Sequence, residues 1–260
     1  LIEKAMAGHD VARLKGGDPF IFGRGGEEAL ALTAAGIEYE VIPGVSSAYS
    51  APAYAGIPIT HRGKASSFHV ITGHEDPTKE NSSLDYEILA REEGTLVFLM
   101  GLSKLHQISE RLIANGKDAH TPAAVIASGT TARQGCVTGE LGRIAAISEK
   151  ADIQPPAILV VGDVVSLKKE IDWQQAGSLS GKKILVTATE IIAEPLAEKI
   201  RKLGGEPVVM SLISVRAEKM YGLKEVLVRP GKRWLVFTSR NGVRFFFEQM
   251  KKEQVDIRSL

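Results

Sequence analysis

The sequence holds a single cysteine, Cys136, so an internal disulfide is excluded and a reducing compartment, the cytoplasm, is the expected setting. It has almost no net charge: 32 basic against 31 acidic side chains leave +1, without the broad basic field that nucleic acid or an anionic membrane surface attracts. No apolar run approaches the length needed to span a bilayer. The first residues, Leu1-Ile2-Glu3-Lys4-Ala5-Met6, lack the apolar core of a signal peptide. His69 and His74 have no third ligand at metal spacing, so no metal site is expected. Neither a repeat of fixed period nor a low-complexity tract is present. An apolar fraction of 44% over 260 residues then fits a globular protein with a full core, in one large domain or two ordinary ones.

Among what is present, the run Leu14-Lys15-Gly16-Gly17-Asp18-Pro19-Phe20-Ile21-Phe22-Gly23-Arg24-Gly25-Gly26-Glu27-Glu28 organises the rest. Val11 to Leu14 reads as a buried strand before it, and Glu27 to Ala35 as a helix after it. A glycine turn between strand and helix is where α/β proteins bind nucleotide-like ligands. Gly16 and Gly17 admit a ligand close to the backbone, Asp18 supplies a carboxylate, and Arg24 a cation. A plain turn with a helix-capping acid remains open on these residues alone.

The chain alternates strand and helix patterns throughout, which argues for an α/β fold with mainly parallel sheets. A helix over Ile2 to Gly8 comes first. Ile37 to Ile42 reads as a strand, Pro43-Gly44 as a turn, and Ser46 or Ser47 as the cap of a small-residue helix. Further strands are expected at Ser67–Thr72, Thr95–Met100, Ala123–Ala127, Gln134–Thr138 and Pro156–Gly162, with a helix at Ser103–Asn115 and a polar loop from Gly73 to Leu84. Asp163 to Ser180 reads as the end of this unit and a linker. The pattern then restarts with strands at Lys183–Thr187, Pro207–Met210 and Arg233–Phe237 and helices at Ala193–Leu203, Lys219–Val228 and Val243–Met250. The chain opens on Leu inside a helical pattern and stops at Ile257-Arg258-Ser259-Leu260, so a fragment truncated at both ends is expected.

Gly-Gly-Asp-Pro-Phe-Ile-Phe-Gly-Arg-Gly-Gly-Glu-Glu resembles the S-adenosylmethionine loop of the tetrapyrrole methylases, and most closely that of the uroporphyrinogen-III C-methyltransferases. The likeness continues through Pro43–Ala48, Gly56–Arg62, Phe98–Gly101 and Pro156–Gly162, and covers about residues 1 to 165. From Leu179 the sequence is similar to the start of uroporphyrinogen-III synthase, through Leu179–Thr187, Leu203-Gly204-Gly205 and Leu235–Val243. That family usually has an arginine where this chain has Ala188. The domains expected are a methylase over 1–165, incomplete at its N-terminus, a linker over 166–180 and a partial synthase-like lobe over 181–260, within a fusion of the two enzymes.

The resemblance implies a two-lobed fold that transfers methyl groups from S-adenosylmethionine to uroporphyrinogen III. The products are S-adenosylhomocysteine and precorrin-2, which leads to sirohaem and cobalamin. It implies cofactor contacts at Gly16, Gly17, Asp18, Ile21, Ser46, Ser47, Met100, Gly129, Pro156 and Ala157. A substrate with eight carboxylates implies a grip by Arg24, with His61 and Arg62 behind it. Proton-handling residues are expected upstream of Leu1, so no catalytic base is assigned; homodimerisation through the methylase region is implied as well. The synthase-like region implies cyclisation of hydroxymethylbilane in the parent.

On the residues alone, Met100 reads as core, while Ser46 and Ser47 read equally as caps or as ligand groups, and His61 and Arg62 equally as a solvated pair or as substrate contacts. Cys136 reads as a small buried hydrophobe, and Ser239 and Asn241 as either a helix cap or a synthase substrate loop. Three rival functions stand beside methylation of uroporphyrinogen III: another corrin-pathway methylase, a nicotinamide-dependent oxidoreductase, and a non-catalytic scaffold. Gly23-Arg24-Gly25-Gly26 does not match the dinucleotide fingerprint of the oxidoreductase.

Overall fold

The structure, a computed structural model, describes residues 1–73, 84–171, 173, 177–218, 222, 227, 234–256 and 258. Most of the loop expected at Gly73–Leu84, with His74, lies outside the described residues, as does most of the helix expected at Lys219–Val228. The chain forms two compact units: Leu1–Lys183 with Ile200–Glu206, and Ile184–Lys199 with Pro207–Leu260.

The first unit is built on a five-stranded sheet. Its elements in chain order are α1 (Ile2–Met6), α2 (Gly25–Ala34), α3 (Ser47–Tyr54), β1 (Phe68–Thr72), α4 (Tyr86–Arg91), β2 (Thr95–Leu99), α5 (Leu105–Ala114), β3 (Pro122–Ala127), β4 (Gly135–Glu140), α6 (Ile144–Lys150) and β5 (Ala157–Val161). The strand order is β1-β2-β5-β3-β4. Only β1 and β2 pair in parallel; β2–β5, β5–β3 and β3–β4 are antiparallel. The α/β class holds, but the expectation of mainly parallel pairing does not. The alternation of helix and strand does keep β2 and β3 in one direction across the α5 crossover. The last strand, β5, then inserts between them in the opposite direction, so both of its pairings are antiparallel.

β2, β3 and β5 read as continuous apolar runs because both faces of the sheet are covered. Leu96 and Phe98, Val125, and Leu159 and Val161 point to one side, with Leu105, Ile108 and Leu112 of α5 and Ile144 of α6. Val97 and Leu99, Ala124 and Ile126, and Ile158 and Val160 point to the other, with Ala48, Ala51 and Ala55 of α3. The second layer also takes Val164 and Val165 from the 3-10 turn Asp163–Lys169, and Leu167 of that turn, inside the expected linker, is buried too. Cys136 lies half-buried in β4 opposite Ile126, close to the reading of a small hydrophobe.

Two strands expected from the sequence do not form. Val11–Leu14 and Ile37–Ile42 carry no strand pairing, and Leu14 and Ile42 are 85% and 75% exposed. A groove of about 880 Å³, lined by both segments, lies along them. Periodic apolar residues give a segment a strand's faces, but its N–H and C=O groups need a neighbour to pair with.

β6 (Lys183–Val186) and β7 (Glu206–Val209) form a two-stranded pairing, and the second unit holds α7 (Glu190–Lys202) as far as Lys199. Helix α8 (Arg240–Lys252) packs Phe246 and Met250 on Leu227 and Phe237. Ser239 caps it, its hydroxyl accepting from Gly242 N–H at 3.0 Å, which is the cap reading of that residue. Residues 234–237 carry no strand pairing, so the strand expected at Arg233–Phe237 is not observed among its described residues.

Phe98 is fully buried in the middle of β2. Phe98→Ala is expected to lower unfolding stability by about 3–5 kcal/mol, measured as a lower denaturation midpoint in urea.

Candidate functional site

The glycine-rich run folds into a tight loop around the Pro19 carbonyl. Gly25 N–H donates to that oxygen at 2.9 Å, and a Cβ at Gly23 or Gly25 would stand 2.6 or 2.5 Å from it. Only glycine fits either place. Phe22 and Arg24 adopt positive φ (52° and 56°), the left-handed turn that carries the chain into α2. Lys15 braces the loop from below: its Nζ donates to the Gly23 carbonyl and pairs with Glu28 at 2.7 Å, while Arg13 Nε donates to the same carboxylate at 3.2 Å. Hydrogen bonding to Lys15 holds the Glu28 carboxyl below its usual range.

Asp18 joins this loop to the next one. Its Oδ1 accepts from Phe20 N–H at 2.8 Å, and its Oδ2 from Gly44 N–H at 2.9 Å. The backbone donors of Gly44 and Phe20 lower its pKa. Gly44 is itself pressed on Gly17, where a Cβ would stand 2.4 Å from the Gly17 carbonyl oxygen. Two residues on, Ser46 is the N-cap of α3; its hydroxyl accepts from Ala48 N–H at 3.2 Å, and the residue is buried. Ser47 is exposed on the first turn. Ser46 is thus a cap, as the residues alone allow, and it also lies beside the glycine loop.

Helix α3 carries this pair of loops to one end of the sheet. Gly129 backs onto it, with Ala51 Cβ 2.5 Å from where a Gly129 Cβ would be. Ser128 N–H donates to the Pro156 carbonyl at 2.8 Å, and Ala127 pairs with Ala157. Leu99 pairs with Ile158 next to it, so Met100 leaves β2 at this same end. Met100 is 51% exposed with φ +57°, which contradicts its reading as core: a side chain just past a buried strand has turned out of the sheet. Gly129, Pro156, Ala157 and Met100 therefore lie at the sheet end formed by the carboxyl ends of β2 and β3, while Gly17 and Asp18 are tied to Gly44 in the loop that leads through Ser46 into α3. Ile21 is part-exposed on the glycine loop, its N–H bonded to the Asp18 carbonyl at 3.3 Å.

Arg24 lies on that loop with its guanidinium donating to Glu27 Oε2 through both Nε at 3.0 Å and Nη2 at 2.6 Å. The pair is well exposed, so it is weakly held. His61 and Arg62 are elsewhere. Their turn is anchored by Thr95 Oγ1 donating to the Ile59 carbonyl at 2.8 Å, at the start of β2. The five steps along β2 from Thr95 to Met100 separate the two by about 16 Å. The sequence reading missed Gly44, Lys15 and Glu28. Gly44 was visible only as half of a Pro-Gly turn, and no spacing rule links it to Asp18, 26 residues earlier.

The comparisons with known proteins agree with this geometry. Residues 1–145 match the model of the family described as Tetrapyrrole (Corrin/Porphyrin) Methylases, more than half of the chain. The chain belongs to the tetrapyrrole methylase family. Residues 194–260 match the model described as Uroporphyrinogen-III synthase HemD. A relative from Bacillus subtilis (strain 168) named uroporphyrinogen-III C-methyltransferase is 42% identical over the whole chain, which covers 53% of that relative. A methylase from Methanosarcina barkeri, named S-adenosyl-L-methionine-dependent uroporphyrinogen III methyltransferase, is 53% identical over 68% of this chain and 69% of its own length. Against the Bacillus relative and a similar one from Ruminiclostridium josui, this chain spans about half of their length. Among solved structures, a uroporphyrin-III C-methyltransferase from Thermus thermophilus complexed with S-adenosylhomocysteine superposes with a TM-score of 0.55. It is 35% identical over 64% of this chain and 72% of that chain. The tetrapyrrole methylase assignment thus joins sequence, sheet and loop pair.

Because the folded-state pKa of Glu28 is lowered, its brace contributes stability above the ordinary value of 4.5 and loses it as pH falls through the folded value. Glu28→Gln is expected to flatten that acid limb. Urea midpoints for wild type and variant measured from pH 7 down to 3 should converge at the acid end and differ at neutral pH.

Proposed function

We propose that the protein carries out S-adenosylmethionine-dependent C-methylation of uroporphyrinogen III to precorrin-2, on the route to sirohaem and cobalamin. The observation that supports this best is the joining of the glycine loop and the Pro43–Ser47 loop at the carboxyl ends of the strands, in a chain of this family. The site suits an adenosyl ligand. A Cβ at Gly16 would meet nothing within 4 Å, so the backbone there is open to close approach, and Gly17 holds a positive φ of 88°. Met100 adds an exposed, polarisable thioether at the same sheet end.

When bound, S-adenosylmethionine supplies an electrophilic methyl group on a sulfonium, which an electron-rich pyrrole carbon can attack without a covalent enzyme intermediate. The chain's own work is then positioning and exclusion of water. Gly16, Gly17, Asp18, Ile21, Ser46, Ser47, Met100, Gly129, Pro156 and Ala157 are proposed to line the cofactor side. Arg24 is proposed to grip the substrate: a carboxylate of the macrocycle exchanges with Glu27 for the guanidinium. His61 and Arg62, at the far end of β2, are left out of this grip.

The family match at residues 194–260 favours a second activity in the same protein, cyclisation of hydroxymethylbilane to uroporphyrinogen III, the methylase's own substrate. Self-association through the methylase region is proposed with it, where Leu30 and Val45 are large exposed apolar side chains. No helix among the described residues is long and apolar enough to cross a membrane. A cytoplasmic setting is proposed from that and the lone thiol.

Calorimetric titration with S-adenosylhomocysteine is expected to show one tight site, and incubation with S-adenosylmethionine and uroporphyrinogen III to add two methyl groups by mass. NADP binding without adenosylhomocysteine binding would put an oxidoreductase in its place. Binding of neither would leave a scaffold. Arg24→Ala is expected to raise the KM for uroporphyrinogen III about tenfold, in line with loss of one charge-assisted contact, while the KM for the cofactor stays unchanged.

A further inference from the structure

We infer that the Asp18 side chain is a positioning residue that sets the spacing of the two cofactor loops through Gly44. The inference rests on the reading of these loops as the S-adenosylmethionine site.

Both carboxylate oxygens are engaged by main-chain donors, Oδ1 by Phe20 N–H and Oδ2 by Gly44 N–H. The first bond closes an Asx-type turn that fixes the side chain relative to its own loop. The second reaches the other loop. The Gly44 peptide is held from its other side as well, because Tyr49 of α3 donates its hydroxyl to the Gly44 carbonyl at 3.2 Å. Gly44 is thus a strut with its N–H on the glycine loop and its C=O on α3. The contact is close enough to exclude any side chain: an added Cβ would also stand 2.8 Å from the Gly17 carbonyl carbon and 3.1 Å from Asp18 Cα. These are backbone atoms, which cannot swing aside. Charge-assisted bonds to backbone N–H groups are short and directional, so this arrangement fixes the loops before a ligand arrives. Asp18 can still present its backbone to the cofactor, as Gly16 and Gly17 do.

The test is a double-mutant cycle on S-adenosylhomocysteine affinity in the full-length protein, with Asp18→Ala, Gly44→Ala and the pair together. Each single change is expected to weaken binding about tenfold or more, as loss of a charge-assisted bond or of the close approach requires. The double variant is expected to be no weaker than the poorer single one, since both break the same joint. In steady-state assays the KM for S-adenosylmethionine should rise, with kcat at saturating cofactor and the KM for uroporphyrinogen III within about twofold of wild type. Tyr49→Phe, which removes one hydroxyl from an exposed position, provides a folded variant in case the others unfold. It should weaken binding a few-fold and show the same non-additivity with Asp18→Asn. Multiplying losses in either cycle, or wild-type affinity in Asp18→Ala, would overturn the positioning role. Failure of the wild-type protein to bind S-adenosylhomocysteine would instead overturn the cofactor reading itself.

Discussion

The candidate site depends on one close approach, that of Gly44 to the Gly17 carbonyl, held by the Asp18 carboxylate. Two loops far apart in sequence become one surface there. A larger residue at position 44 would separate them, and a residue without a side-chain acceptor at position 18 would remove the bond that draws them together. Lys15 and Glu28 do comparable work within the first loop, tying the Gly23 carbonyl and the start of α2 to the segment that enters it. Most of these groups are backbone donors, glycines and short side chains. Such groups have little rotamer freedom to lose, so the site's shape is set by folding more than by the ligand.

The sheet decides where that surface lies. With β5 inserted between β2 and β3, the carboxyl ends of β1, β2 and β3 meet the amino end of β5. Thr72, Leu99, Ala127 and Ala157 are the last sheet residues there. The turns that follow or precede them, at Met100, Ser128–Gly129 and Pro156, then share an edge with the start of α3. Small residues make this packing possible. Ala48 and Ala51 bring α3 close to Ile126, Leu99 and Ile158, and Gly129 allows Ala51 against the turn. The family membership and the site geometry thus rest on the same few positions.

Much of this was legible in the sequence because it is local. The caps at Ser46 and Ser239 and the apolar runs of β2, β3 and β5 follow from residue type and period. The long glycine-rich string was distinctive enough to identify the family. What was not legible depends on neighbours. Val11–Leu14 and Ile37–Ile42 have the pattern of strands but line a groove where no strand pairs with them. The direction of β5 follows from where it inserts and not from its own five apolar residues. Helices α4 and α6 are short and half-covered, so their periodicity spans too few turns to stand out. Asp18 stands out in the sequence as a carboxylate beside two glycines; its bond to Gly44, 26 residues on, has no local signal. Met100 looked like core since nothing in an apolar run marks the residue at which the chain turns out of the sheet.

The most direct test of a preassembled loop pair is amide hydrogen exchange at Gly44 in the ligand-free protein. Gly44 lies in a loop outside any helix or strand, so its N–H has no ladder to protect it. If Asp18 holds the loops together, the Gly44 amide should exchange slowly without ligand, and Asp18→Ala should bring it to the rate of an open loop while β2 amides stay protected. Fast exchange at Gly44 in the wild-type protein, slowing only when S-adenosylhomocysteine is added, would show that the ligand assembles the site and that Asp18 does not.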